Sequence, residues 1–267
     1  MAYTISLANQ KGGVGKTTSA VNCAAAVAAL GKRVLLCDID PQGNATSGVG
    51  IARKNLASSV YDVIIRSKSA RDAILPTRFE NLSILPSNIR LAGAEFELVD
   101  LERRELLLKT ALEDVADDYD YIFIDCPPSL GILSINALAA SRGVIIPMQC
   151  EFYSLEGLSQ LMLTIKQVKK LYNPRLDITG ILITMFNGRL NLSIQVLDEL
   201  KKYYADKLFS TTIARSVKLS EAPSFGEPIL YYEKNSKSAQ AYNDVAKEIL
   251  ERTDNRETLR QSIQNTE

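Results

Sequence analysis

The chain has 267 residues, 46% of them hydrophobic, with 31 basic and 31 acidic side chains and no histidine. That length and apolar share suit one large domain with a sizeable core, and a net charge of zero singles out no class of partner. The four cysteines, Cys23, Cys37, Cys126 and Cys150, form no CxxC pair. A zinc or iron–sulfur site is therefore not expected; buried free thiols in a reducing cytoplasm are. The N-terminus shows no signal-peptide pattern, and no apolar run approaches the ~18 residues needed to span a bilayer.

In chain order, YTISLA (3–8) reads as a strand, and Thr17 to Leu30 reads as a helix closed by Gly31. Further strands are expected at RVLLCDID (33–40), YDYIFIDCPP (119–128), GVIIPMQ (143–149), DITGILITMF (177–186) and KLFSTTI (207–213). Most are near-continuous Val/Ile/Leu runs rather than alternations, which marks strands covered on both faces. The fold class is therefore α/β, with a mostly parallel central sheet and helices on both faces. Between strands, Leu158, Leu161, Met162, Ile165 and Val168 make one buried helical stripe that leaves Lys166, Lys169 and Lys170 outside it. No linker splits the chain, so residues 1–252 are expected to form a single domain and the polar stretch 253–267 a tail.

KGGVGKTT (11–18) lies between the first strand and the first helix, where a glycine-rich loop can wrap an anion. Bare glycines let backbone N–H groups converge on phosphate, and the helix N-terminus adds positive potential. Lys11, Gly12, Gly13, Val14, Gly15, Lys16, Thr17 and Thr18 are thus the candidate phosphate-binding set. Lys16 can reach the β/γ-phosphates and the Thr17 hydroxyl can ligate Mg²⁺. The general phosphate-loop pattern has glycine at the position of Gln10, and here an additional lysine, Lys11, follows it. Asp125 ends the apolar strand YIFID, a position suited to holding Mg²⁺ directly or through water; without the loop it would equally suit a turn or a helix cap. Asp38 and Asp40 end another strand, two residues apart and hence on one face.

Together KGGVGKTT, CDIDPQGNATSG and FIDCPPSLGILSINAL resemble the deviant Walker A, switch and Walker B segments of the ParA/MinD group of P-loop ATPases. PMQCEFYSLEGLSQL, GILITMFNGRLNLSIQV and SVKLSEAPSFGEPI resemble its chromosomal ParA (Soj) branch, and the resemblance runs from about residue 3 to about residue 250. It implies a P-loop NTPase-like fold and a slow, partner-stimulated ATPase using ATP and Mg²⁺. Asp40 would orient the attacking water, Asp38 would support the Mg²⁺ shell, and Lys11 would cross to a partner subunit's nucleotide in an ATP-dependent sandwich homodimer. The dimer would bind double-stranded DNA without sequence preference, and a ParB-like centromere-binding protein would trigger hydrolysis and release. The setting would be the cytoplasm, on the nucleoid.

Arg189 and Lys218 stand at matching motif positions for DNA contact. Charge distribution adds Arg215, with Lys201 and Lys202 as weaker candidates: residues 160–220 carry ten basic against four acidic side chains, whereas residues 95–125 carry three against eleven. Two departures from the family pattern are Ala214, where proline is usual near the adenine pocket, and Lys218, where arginine is common. Alternative readings are a MinD-like membrane switch, a positioning ATPase for other cargo, and a regulator of replication initiation. The first needs an apolar C-terminal helix face, for which the tail offers only Leu259 and Ile263.

Overall fold

The structure, a computed structural model, describes residues 1–264, with side chains described up to residue 254. Its strands are β1 (Tyr3–Leu7), β2 (Val34–Asp38), β3 (Leu75–Pro76), β4 (Leu82–Leu85), β5 (Tyr121–Asp125), β6 (Gly143–Gln149) and β7 (Asp177–Thr184). The helices are α1 (Lys16–Ala29), α2 (Asn44–Gly48), α3 (Val60–Arg66), α4 (Ala70–Ala73), α5 (Leu91–Glu97), α6 (Leu107–Glu113), α7 (Ile132–Ala140), α8 (Ser154–Leu171), α9 (Asn191–Tyr204), α10 (Val217–Glu221), α11 (Ile229–Tyr232) and α12 (Lys237–Gln264).

The strands form one sheet in the order β3-β4-β2-β5-β1-β6-β7, parallel throughout except for the β3–β4 edge pair. Every residue of β1, β2 and β5 is buried, as the continuous apolar runs require when helices cover both faces. On one face, Tyr3, Ile5, Leu7, Leu36 and Phe123 pack in a cluster with α1 and α12. Six alanines among the fourteen residues of α1 let it lie close between the sheet and α12, so it is buried on nearly every side. On the other face, Leu35, Cys37, Ile122, Ile124 and Ile146 pack with α3, α7 and α8. There Leu158, Leu161, Ile165 and Val168 form the buried stripe of α8, with Met162 half-buried against it.

The chain runs from β1 through α1 to β2 on one side, and from β5 through α7 to β6 on the other. The reversal opens a crevice at the C-terminal ends of β1, β2 and β5, the usual ligand position in a doubly wound sheet.

Several elements differ from the sequence expectation. Residues 207–213 do not form a full strand. They meet the sheet edge at the bridge Ile181↔Leu208 and again where the Ile213 N–H donates to the Ile183 carbonyl (2.8 Å), next to the bridge Phe186↔Ala214; between these points the N–H groups of Ser210 and Thr211 donate instead to the Glu248 carboxylate on α12 (2.9 and 3.0 Å). Conversely, β3 and β4 extend the sheet beyond β2, with no counterpart in the expected set. The final helix also continues past residue 253, the expected start of the tail, to Gln264. Residues 265–267, and the side chains of Leu259 and Ile263, lie outside the described residues. Among the described residues no helix is long and apolar enough to cross a membrane.

Candidate functional site

The glycine loop leaves β1 and enters α1 through left-handed backbone at Gly13 (φ 71°) and Gly15 (φ 83°), where any other L-residue is strained. Gly12 needs no such conformation, and a Cβ there would only touch Pro128 at 4.0 Å. Polar side chains at neighbouring strand tips hold the loop. The Asn9 amide donates to the Pro147 carbonyl (2.8 Å) and its oxygen accepts the Lys11 N–H (3.0 Å). Gln149 at the end of β6 donates to the Gly13 carbonyl (2.8 Å), and Thr184 at the end of β7 donates to the Val14 carbonyl (2.8 Å). With these carbonyls tied down, the backbone is shaped before any ligand arrives.

Lys16 is buried and its ammonium donates to the Lys11 carbonyl at 2.9 Å. Burial lowers its pKa, opposed chiefly by the nearby Asp125 carboxylate and more weakly by Asp40. A cation held in so dry a place is poised for an anionic ligand.

Asp125 pairs in register with Leu7 of β1 and with Asp38 of β2, at the centre of the crevice. It has no exposed surface, and neither carboxylate oxygen has a hydrogen-bond partner. Burial pushes its pKa well up, the Asp38 charge pushes it further, and the nearby Thr17 hydroxyl and Lys16 ammonium pull the other way. A buried carboxylate left without a partner is costly. Its two free oxygens, with the Thr17 hydroxyl beside them, fit a hard divalent cation. Among the described residues no three Asp, Glu, Cys or His side chains cluster as a metal cage. Mg²⁺ commonly takes one or two carboxylates and completes its shell with phosphate and water.

Asp38 is engaged differently. Its Oδ1 accepts the Asp40 N–H (3.1 Å), and its Oδ2 accepts both the N–H (2.8 Å) and the hydroxyl (2.7 Å) of Thr46. Its pKa is nevertheless raised to about 6, chiefly by burial. Asp40 is also buried, and its Oδ1 accepts the Gln42 N–H at 2.9 Å. Beside the loop, a cavity of about 320 Å³ is lined by Gly15, Thr18, Met185, Ala214, Arg215 and Tyr242, among others.

A family model described as AAA domain matches residues 2–178. The chain is 55% identical over 93% of its length to the sporulation initiation inhibitor protein Soj of Bacillus subtilis, covering 98% of that protein. It is 48% identical over 93% of its length to the chromosome partitioning protein ParA of Myxococcus xanthus, covering 88% of it. A solved cobyrinic acid a,c-diamide synthase from Mycobacterium smegmatis, with bound ATP analogue and magnesium, is 37% identical with a TM-score of 0.81, over 92% of this chain and 93% of that one. The chain belongs to the ParA/Soj family of P-loop ATPases.

Within that ParA/Soj frame, Lys11 turns back on its own chain. Its ammonium pairs with Glu151 at 2.5 Å, both side chains partly exposed. The candidate DNA residues sit on neighbouring loops: the bridge Phe186↔Ala214 puts the segment leading to Arg189 beside the one leading to Arg215 and Lys218. Arg189 and Arg215 are exposed, and no ion pair is described for either. Lys218 pairs with Glu221 (3.1 Å), Lys201 with Asp198 (3.5 Å) and Lys202 with Glu199 (2.8 Å).

Sequence reasoning missed Gln149, Thr184 and Thr46. The available signal was positional: polar residues closing apolar strands at the same sheet edge, and a threonine opening the helix after the aspartate pair.

Proposed function

We propose that this ParA/Soj-family ATPase is a nucleotide-driven DNA-partitioning switch. ATP occupies the crevice with its phosphates in the loop 11–18 and Lys16 on the β/γ-phosphates. Thr17 and Asp125 hold Mg²⁺, which supplies charge neutralisation on the transferring phosphoryl group. Asp40 orients the attacking water. The convergence of a preshaped loop, a buried Lys16 and a partnerless Asp125 at one sheet edge carries this reading.

Lys11 is the residue that joins two protomers. Its present partner, Glu151, is a half-exposed surface carboxylate, and such a pair is worth roughly 0–1 kcal/mol. The negative charge of a triphosphate outcompetes it readily. A second copy facing the loop then receives Lys11 at its own nucleotide, so ATP-bound dimer and ADP-bound monomer become two distinct states.

The dimer presents Arg189, Arg215 and Lys218 twice, which raises phosphate contacts enough for sequence-independent binding to the nucleoid. A ParB-like centromere-binding partner triggers hydrolysis and release. A DNA-retention assay with and without ATP tests the scheme. Lys16→Ala is expected to lose ATP and DNA together, Asp40→Ala to stay on DNA with ATP unspent, and Arg189→Glu to bind ATP yet leave DNA. Normal hydrolysis by Asp40→Ala, or full retention of Arg189→Glu, contradicts it.

A further inference from the structure

We propose that Thr46 is a positioning residue for hydrolysis, holding Asp40 in place through Asp38, and that Asp38 is an anchor rather than a member of the Mg²⁺ shell. The proposal rests on the reading of Asp40 as the group that orients the attacking water.

Asp38 grips both ends of the segment that carries Asp40. One oxygen takes the Asp40 N–H (3.1 Å), and the other takes the N–H and hydroxyl of Thr46 (2.8 and 2.7 Å). Between these points the chain makes a tight turn, closed by the Gly43 N–H on the Asp40 carbonyl (2.9 Å) and the Gln42 N–H on Asp40 Oδ1 (2.9 Å). The Asp40 carboxylate is thus oriented by the turn, and the turn by Asp38.

Thr46 ties this unit to the rest of the sheet. Its Oγ1 accepts the N–H of Ser87, just beyond β4, at 2.9 Å. The Ser87 carbonyl lies 2.9 Å from where a Cβ on Gly43 would stand, so the same segment presses on the turn from outside. Thr46 and Ser87 have no exposed surface. The Thr46 hydroxyl spends its one proton on Asp38 and a lone pair on Ser87. With a neighbour on every side it is a strut, not a ligand. Asp38 receives three donors, whereas Asp125, its register partner, receives none. That contrast separates the anchor from the metal ligand.

The full-length chain tests this through ATP turnover at varied ATP and Mg²⁺. Thr46→Val keeps the side chain's shape and removes the hydroxyl. It is expected to lower kcat roughly 10- to 100-fold, the scale of a small misplacement of a catalytic group. The KM for ATP and the half-saturating Mg²⁺ concentration should stay within about twofold. Thr46→Ser, which keeps the hydroxyl, should recover most of kcat. Unchanged kcat in Thr46→Val overturns the proposal, as does a failure of Thr46→Ser to rescue it, or a loss of Mg²⁺ and ATP affinity in step with kcat.

Should Thr46→Val not fold, Asp38→Asn carries the test: kcat falls at unchanged Mg²⁺ dependence if Asp38 anchors, and the Mg²⁺ requirement rises if it ligates. Asp40→Ala, run in parallel, separates the two levels. Normal turnover there sinks the water-orienting role itself, whereas an inactive Asp40→Ala beside a fully active Thr46→Val sinks only the positioning role.

Discussion

Asp38 and Asp125 stand opposite one another in the register of β2 and β5, both without exposed surface, yet only Asp38 is hydrogen-bonded. Burial raises the pKa of both carboxylates; the Asp38 charge raises Asp125 further, and the Asp40 charge does the same to Asp38. For Asp38 the folded value is about 6 against 3.8 for an unperturbed side chain. Between those values the folded chain holds a proton that the unfolded chain releases, so this group's contribution to stability falls as pH rises. The stability of Asp38→Asn relative to wild type is therefore expected to improve from about pH 4 to about pH 6 and then level off. Denaturant unfolding across that range in EDTA checks it; a flat difference contradicts the shift.

Asp125→Asn should separate stability from function. Removing an unpartnered buried charge is expected to stabilise the nucleotide-free chain by about 1 kcal/mol or more near neutral pH. The same change should abolish the extra thermal protection that Mg²⁺ adds to ATP. A variant that is less stable in EDTA, or that keeps the Mg²⁺ effect, contradicts the assignment.

The three loop glycines should divide. Gly13→Ala and Gly15→Ala force left-handed backbone on alanine and are expected to cost about 1–2 kcal/mol each without any ligand. Gly12→Ala meets neither strain nor clash and should stay within about 0.5 kcal/mol of wild type. Any ATP affinity it loses then reports the ligand's own need for space. Equal destabilisation at all three positions contradicts this division.

The cations proposed for DNA contact should not be equivalent. No ion pair is described for Arg189, whereas Lys218 already neutralises Glu221. Arg189→Ala is expected to reduce the slope of log affinity against log salt by about 0.9, the value of one phosphate contact. Lys218→Ala should change it less, and Glu221→Gln should strengthen binding. Salt titrations of DNA binding with a non-hydrolysable ATP analogue measure all three. Identical slopes for wild type and Arg189→Ala contradict the contact.

Much of the fold could be read from the sequence because doubly covered strands must be apolar along their length, as residues 121–124 and 143–148 are before each strand ends in a polar residue. The phosphate loop was legible for a different reason: few arrangements put three glycines and a Gly-Lys-Thr between a strand and a helix. Leu82–Leu85 escaped notice because four residues carry too little pattern, and it counts as a strand through its pairing with β2 and β3. Residues 207–213 looked like a strand from composition, but Glu248, distant in sequence, takes two of their N–H groups. The split between Asp38 and Asp125 was invisible for the same reason, since it depends on Thr46 hydrogen-bonding one carboxylate while the oxygens of the other stay without a hydrogen-bond partner.

The most direct measurement is the mass of the protein in solution, by sedimentation or light scattering, with a non-hydrolysable ATP analogue and Mg²⁺. Wild type should be monomeric without nucleotide and dimeric with it. Lys11→Ala, which gives up only the half-exposed pair with Glu151, should fold normally, bind the analogue and remain monomeric. A wild-type chain that stays monomeric at saturating analogue, or a Lys11→Ala chain that dimerises as readily as wild type, contradicts a clamp built from the phosphate loop and a lysine lent across the seam.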